Sequence, residues 1–128
     1  MANAQRDPLT HAIIGCAIAV HTEMGPGLLE SAYHDCLDRE LGKTGIPFVR
    51  QPVTHISYQG ALLDKTYRPD FIVNAEVVVE VKSVAHILPV HVAQTLTYMK
   101  LARIERGLIL NFNVPLMIQG IRRLILSR

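Results

Sequence analysis

The sequence predicts an α/β (α+β) fold in which helices pack on the faces of a mixed β-sheet. Two segments with helical periodicity come first, three or four short β-like segments follow, and one more helix precedes two strands. This order places helices over a sheet. With 128 residues, of which 49% are hydrophobic and 19% charged, the chain can form one domain with a real core. We expect residues 1–128 to be that single domain.

The first two helices have recognisable ends. Asp7 and Pro8 suit an N-cap and a first helical position, so a helix is expected over residues 8–24. A second helix is expected over residues 28–41, with Gly42 as a left-handed stop. Its apolar side chains follow helical spacing: Leu29, Ala32, Tyr33, Cys36, Leu37 and Leu41.

Glu30 is the exception in that apolar stripe. It lies three residues before Tyr33 and seven before Leu37, so it shares their row on the helix. A favourable charge in the first helical turn explains an exposed Glu30, whereas its alignment with Tyr33 favours an inward side chain. Both interpretations stay open at this point.

The middle of the chain predicts four strands. Two are expected over residues 48–51 and 53–58, with Gly60 in a turn, and residues 67–73 and 77–82 are expected to form a hairpin.

Two carboxylates and a lysine interrupt the apolar hairpin. Side chains alternate along a strand, so Val78, Glu80 and Lys82 share one face. A turn centred on Ala75 places Asp70 directly opposite Glu80, with Cβ atoms about 5 Å apart. Carboxylates at that separation repel, and a divalent cation between them removes the conflict, which predicts a Mg²⁺ (or Mn²⁺) site. Lys82 can hold a water or phosphate oxygen beside it, which indicates metal-assisted phosphodiester hydrolysis.

Two alternatives remain for the hairpin. A two-residue turn places Asp70 opposite Val79 instead, which separates the two acids. The second strand can also be half-buried with a solvated polar face, because structural ion pairs imitate active sites.

The last third of the chain predicts a helix over residues 89–103 and strands over residues 107–112 and 121–126. The helix carries a polar row at helical spacing, which faces either solvent or the acids: His91, Gln94, Thr95 and Tyr98.

Composition restricts the function class. The formal charge is only +2, so the field of the whole molecule does not indicate nucleic-acid binding. Residues 100–128, however, carry a basic excess that is either a phosphate-contact surface or a solvated rim. Six basic residues oppose Glu105 there: Lys100, Arg103, Arg106, Arg122, Arg123 and Arg128. The absence of Trp and the 5% aromatic content argue against a base-stacking platform.

Neither cysteine pairing nor membrane insertion is expected. Cys16 and Cys36 fall at apolar helical positions and are expected to behave as small buried hydrophobes. The N-terminus lacks signal-peptide organisation and no apolar run is long enough to span a membrane, so a soluble cytoplasmic protein is the expectation.

Several of these segments resemble a nuclease family. Pro69-Asp70, followed after nine residues by Glu80-Val81-Lys82, resembles the motif of the PD-(D/E)XK nuclease superfamily. Gly27, Glu30 and Tyr33 are spaced as in the GxxExxY family, which is grouped with those nucleases. Further similar segments are Tyr67 to Asp70, His91 to Tyr98 and Gly107 to Phe112. The resemblance covers about residues 24–126. It implies a restriction-endonuclease-like core to which the helix over residues 8–24 is added.

The resemblance implies a metal site built from residues of three segments. Asp70 and Glu80 match the metal-binding acids, and the Val81 carbonyl is the further ligand that the family pattern implies. Glu30 matches the acidic residue of the first core helix, which contacts the metal directly or through water. Val81 departs from the family because leucine is frequent at that position.

The resemblance also implies catalytic roles outside the metal ligands. Lys82 matches the residue that orients or activates water and stabilises the developing phosphate charge. Gln94 and Tyr98 match a glutamine-and-tyrosine pattern on the helix that follows the motif.

The predicted function is that of a metal-dependent nuclease acting on DNA or RNA. One alternative is a catalytically silent module that binds nucleic acid or a protein partner. Another is a subunit of a toxin–antitoxin, defence or repair assembly. A domain of this size offers little surface for choosing a target, so a homodimer or a protein partner is expected.

Overall fold

The computed structural model describes residues 7–127 and confirms the predicted mixed sheet with helices on its faces. The helices are α1 (Pro8–Met24), α2 (Glu30–Lys43) and α3 (Pro89–Ala102), with a 3₁₀ turn at Met117–Gly120. The strands are β1 (Phe48–Arg50), β2 (Thr54–Tyr58), β3 (Ala61–Tyr67), β4 (Phe71–Val73), β5 (Val77–Lys82), β6 (Arg106–Asn111) and β7 (Ile121–Ile125). Residues 1–6 and Arg128 lie outside the described residues, so the expectations about the N-terminal segment and about Arg128 as part of the basic excess fall outside them too.

Five strands form the main sheet in the order β1-β4-β5-β6-β7. Strands β5 and β6 are parallel, and every other neighbouring pair in this sheet is antiparallel. The helix α3 connects β5 to β6, as a parallel pair requires a crossover. Strands β2 and β3 form a separate antiparallel ribbon that packs against α3 through β2.

The two faces of the sheet bury side chains of opposite parity. Val77, Val79 and Val81 of β5 belong to the larger core, together with the buried faces of α1 and α2. Val78 belongs to a smaller core beneath α3, with Tyr98, Met99 and Ile104. The alternation predicted for this strand is therefore confirmed.

The hairpin of β4 and β5 has the register predicted from a turn centred on Ala75. Val73 lies opposite Val77, and Phe71 lies opposite Val79. Asn74 and Ala75 adopt left-handed φ angles of 53° and 55°, and the Glu76 N–H donates to the Val73 carbonyl at 3.0 Å. The alternative two-residue register is not adopted.

The expectation of one strand over residues 67–73 is wrong. Tyr67 ends β3, the chain bends after it, and β4 begins only at Phe71. Pro69 lies in this bend, where its missing N–H and fixed φ interrupt strand pairing. The ribbon strand β3, residues 61–67, was not among the predicted strands because all of its side chains are exposed and carry no burial pattern.

The predicted stop of α2 at Gly42 is also wrong. The helix continues to Lys43, and the Thr44 hydroxyl donates to the Leu41 carbonyl at 2.7 Å, which satisfies one of the last carbonyl groups. The left-handed residue is Gly45, with a φ of 77°. The remaining predicted ends of helices and strands agree with the structure within two residues.

Both cysteines are free, Cys16 buried and Cys36 half-buried, which confirms the expectation that they form no disulfide. Among residues 7–127, no helix combines the length and apolar character that crossing a membrane requires.

We expect Gly120→Ala to lower the free energy of unfolding by about 1–3 kcal/mol, the usual cost of overpacking. A Cβ at this position would lie 1.9 Å from the Asn111 carbonyl oxygen, a rigid backbone atom of β6. Urea denaturation measures the change. Gly15→Ala is the matched control, because nothing lies within 4 Å of its added Cβ and it sits in α1. The control should raise stability by about 0.5–1 kcal/mol. Equal changes in the two variants would contradict the packing argument.

Candidate active site

The candidate site lies at the carboxyl end of β5, the central strand. This strand pairs with β4 on one side and β6 on the other, and both of its faces are covered, so its sequence is almost entirely valine. Glu80 is the exception and is only 3% exposed. It follows Val78 on the face that α3 covers, and Lys82 follows it on the same face at the half-buried end of the strand.

Asp70 and Glu80 are tied together through the backbone. The Asp70 N–H donates to Glu80 Oε2 at 2.6 Å, and the Val81 N–H donates to Asp70 Oδ2 at 2.7 Å. Each carboxylate thus accepts a hydrogen bond from the strand that carries the other. These bonds continue the hairpin pairing by one position beyond Phe71 and Val79, so the two acids stand opposite each other.

The positive charge of Lys82 does not offset the burial of Glu80 and the negative charge of Asp70. Burial, followed by the negative charge of Asp70, raises the pKa of Glu80 to about 8. The hydrogen bond from the Asp70 N–H and the charge of Lys82 lower that pKa, while the charge of Glu30 raises it further. Without a cation, the Glu80 carboxyl therefore holds a proton near neutral pH.

Glu30 approaches the same place from α2. It is half-buried, it begins the helix, and its Oε2 accepts from the Ser83 N–H at 3.2 Å. Ser83 follows β5 directly, and its hydroxyl donates to the Leu28 carbonyl at 2.7 Å. These two bonds join the start of α2 to the end of β5, and they favour the inward interpretation of Glu30.

Tyr33 supports the segment that precedes Glu30. Its hydroxyl donates to the Gly25 carbonyl at 2.5 Å and accepts from the Leu28 N–H at 3.2 Å. Its ring is fully buried and stacks on Phe112, with centroids 4.5 Å apart. The tyrosine of the Gly27-to-Tyr33 motif is therefore a structural residue that shapes the loop before α2.

The predicted polar row of α3 divides into two pairs. His91 Nδ1 accepts from the Leu88 N–H at 2.9 Å, and the Thr95 hydroxyl donates to the His91 carbonyl, so these two residues shape the helix. Tyr98 is buried and close enough to the acids that burial and the charges of Glu80 and Asp70 raise its pKa. Gln94 is exposed, and its hydrogen bond with Tyr98 opposes that shift.

His34 is a neighbour of the acids that the sequence analysis did not single out. Its Nε2 lies 3.3 Å from Asp70 Oδ1, and its ring is 5.7 Å from that of Phe71. It is buried and lies four residues after Glu30, so both face the end of β5 from one row of α2. The four-residue spacing from Glu30 is the sequence feature that could have pointed to His34. The Val81 N–H donates to Asp70 Oδ2 and His34 Nε2 contacts Oδ1, so both carboxylate oxygens of Asp70 have a protein partner.

Arg106, Arg122 and Arg123, which the structure describes, do not form one surface. Arg106 is paired with Asp7 and Glu76. Arg122 and Arg123 are both exposed but lie on opposite faces of β7 by strand alternation. Ile109 of β6 pairs with Glu80 of β5 on one side and with Arg122 of β7 on the other. Glu80 and Arg122 therefore lie on the same face of the sheet, in one row across the three strands.

The donor set fits a magnesium centre of two carboxylates. Within residues 7–127, no three His, Cys, Asp or Glu side chains form a group that could hold a metal ion. Magnesium, however, is commonly bound by one or two carboxylates, with water and substrate phosphates completing its shell. The buried, mutually repelling pair of Asp70 and Glu80 supplies that kind of set.

The raised pKa of Glu80 predicts a specific pH dependence in metal-free buffer. The folded state holds a proton that the unfolded chain releases near its ordinary pKa, so stability is greatest at low pH and falls as pH rises to about 8. We expect Glu80→Gln to remove a slope of about 1.4 kcal/mol per pH unit within that window. Urea denaturation from pH 5 to pH 8 measures it. Glu76→Gln, at a half-exposed carboxylate of the same hairpin, is the control and should keep the wild-type slope; a wild-type slope in Glu80→Gln would contradict the assignment.

Comparison with known families agrees with this geometry. The sequence profile of the PD-(D/E)XK nuclease superfamily matches residues 7–124, which include every residue of the candidate site. Comparison with curated proteins and with solved structures gives no match. The five-stranded mixed sheet flanked by helices is consistent with a restriction-endonuclease-like fold. The chain belongs to the PD-(D/E)XK nuclease superfamily.

Proposed function

We propose that this protein is a metal-dependent nuclease that hydrolyses phosphodiester bonds in DNA or RNA, and that it is a GxxExxY member of the superfamily. The observation that carries the proposal is the buried pair of Asp70 and Glu80, locked by reciprocal backbone hydrogen bonds with Lys82 next on the same face. A structural ion pair between these two residues does not explain the arrangement, because both are acids and neither supplies a positive charge.

Asp70 and Glu80 are the proposed side-chain ligands of Mg²⁺ or Mn²⁺, with the Val81 carbonyl as a further ligand. Glu30 is proposed to act as an outer acid, because one of its oxygens already accepts from Ser83. When bound, such a cation lowers the pKa of water and polarises the phosphate.

The remaining residues act on the substrate and the attacking water. Lys82 is proposed to orient the water and to stabilise the negative charge that develops on the phosphate. Tyr98 keeps its hydroxyl proton because its pKa is raised, so it can donate a hydrogen bond beside the acids. Gln94, which is exposed and hydrogen-bonded to Tyr98, is proposed to hold that hydroxyl and to meet the substrate.

A binding module without cleavage is the second candidate, acting within a defence, toxin–antitoxin or repair assembly. The observation that favours it is the exposure of large apolar side chains, which surfaces that bind partners also present. Leu29 is 76% exposed, Ile118 is 74% exposed and Leu62 is 70% exposed. A homodimer or a protein partner covering such side chains is compatible with either function.

We expect Mg²⁺ or Mn²⁺ to raise the melting temperature, because the cation binds the native acids and relieves their repulsion. Asp70→Asn should remove most of that gain while its amide oxygen still accepts from the Val81 N–H. Thermal unfolding with metal and with EDTA measures both. Asp64→Asn, at an exposed position of β3, is the control and should respond to metal as the wild type does. An equal metal response in Asp70→Asn and wild type would place the metal elsewhere.

Substitution of Lys82 should affect cleavage and nucleic-acid binding differently. We expect Lys82→Ala to abolish cleavage with little loss of nucleic-acid affinity, because its charge acts chiefly on the transition state. Cleavage assays on DNA and RNA panels, run beside gel-shift titrations, test this. Unchanged cleavage would remove the lysine from the mechanism.

Arg122 should contribute to affinity through phosphate contact, since it shares a row and a sheet face with Glu80. We expect Arg122→Ala to weaken binding and to flatten its salt dependence. Arg123→Ala, the neighbour on the opposite face, is the matched control and should have the smaller effect. Gel-shift titrations at several salt concentrations measure both, and an equal loss in the two variants would contradict the assignment of faces.

A further inference from the structure

The ribbon of β2 and β3 carries two tyrosines, and one of them lies beside the candidate site. The chain has four Tyr and three Phe, all within the described residues. Five of these rings are buried or half-buried. The two exposed ones, Tyr58 at 62% and Tyr67 at 41%, both lie on the ribbon.

Tyr67 contacts Tyr98, which lies near the acids. Its ring centroid is 5.8 Å from that of Tyr98, whose pKa responds to the charges of Tyr67, Glu80 and Asp70. Tyr67 also ends β3 only three residues before Asp70, so one short bend joins the ribbon to the proposed metal ligand.

Tyr58 lies at the other end of the same ribbon. Tyr67 ends β3 and pairs with Thr54, whereas Tyr58 ends β2 and pairs with Ala61 at the hairpin turn, and the register shifts between these two pairs at His55 and Ser57. Lys65 and Arg68, both exposed and within two residues of Tyr67, bring two positive charges to the end of the ribbon nearer the acids, and Asp64 brings one negative charge.

We infer that this ribbon binds an unpaired nucleic-acid strand, with Tyr67 stacking on a base next to the phosphate at the acids and Tyr58 stacking further out. The inference rests on the proposed function and assigns its substrate as single-stranded or locally unpaired. Exposed aromatic rings beside positive charges are how proteins hold unpaired bases without reading sequence. In a paired duplex, the faces of interior bases are covered by their neighbours. The overall scarcity of aromatic residues is no objection, because the two exposed rings both lie on this ribbon.

Binding measured in EDTA, where metal-dependent cleavage is absent, tests the inference. Fluorescence anisotropy is recorded with labelled single-stranded DNA, single-stranded RNA and blunt duplex DNA. Comparison of the first two probes shows whether the unpaired strand is DNA or RNA. We expect single strands to bind more tightly than the duplex. Tyr67→Ala should weaken single-strand binding about tenfold, and Tyr67→Phe should stay within about twofold of wild type because the ring is kept.

Leu62→Ala is the matched control. Leu62 is an apolar ribbon side chain, 70% exposed, without an aromatic face, so its loss should leave single-strand affinity unchanged. Because Tyr67 packs on Tyr98, circular dichroism first checks that Tyr67→Ala is folded. If Tyr67→Ala is not folded, single-strand binding is measured with Tyr58→Ala instead. A weaker single-strand affinity in that variant supports the inference, and an unchanged affinity overturns it.

Three results would overturn the inference: duplex binding as tight as single-strand binding, unchanged affinity in folded Tyr67→Ala, or an equal loss in Leu62→Ala. Sedimentation showing a dimer that Leu62→Ala dissociates would assign the ribbon to a second copy of the chain instead. The proposed function fails separately, through a lack of Asp70-dependent cleavage on every substrate. Tyr67-dependent binding of single strands would still stand in that case.

Discussion

The placement of Glu80 in the centre of the sheet, directly opposite Asp70, is the constraint on which the site depends. Neither acid can move away alone, because the backbone N–H beside each one bonds the carboxylate of the other. Burial and the charge of Asp70 raise the pKa of Glu80, so this arrangement disfavours two ionised carboxylates in the absence of a cation. An exposed ion pair of surface residues would rearrange at little cost, whereas these carboxylates are held by β-strands.

Several structural residues act together to hold the acids in place. The left-handed pair Asn74 and Ala75 sets the register that brings the acids opposite each other. Tyr33 shapes the loop before α2, and this fixes the helix start from which Glu30 reaches the end of β5. His34, one turn further along α2, holds the second oxygen of Asp70. The motif from Gly27 to Tyr33 is thus a positioning device as much as a source of an acid.

The parts of this structure that follow from local periodicity could be predicted from the sequence. The alternation in β5 required only the two-residue period of a strand, and the register required only the correct turn centre. The ribbon strand β3 could not be found in this way, because no face of it is buried. His34 was missed because its four-residue spacing from Glu30 indicates only a shared helix row, and the tertiary contact with Asp70 is what shows its role.

The two faces of the sheet differ in what they contribute. The larger core lies beneath α1 and α2, and it takes Val77, Val79 and Val81 of β5. The face beneath α3 takes Glu80 and Lys82, beside a smaller apolar cluster. The repulsion between the acids therefore opposes packing where less apolar surface is buried. It does not interrupt the layer that contributes most hydrophobic stabilisation. Lys82 is only half-buried and Tyr67 is exposed. The proposed substrate would therefore approach the acids from the α3 side, where the larger core is not involved.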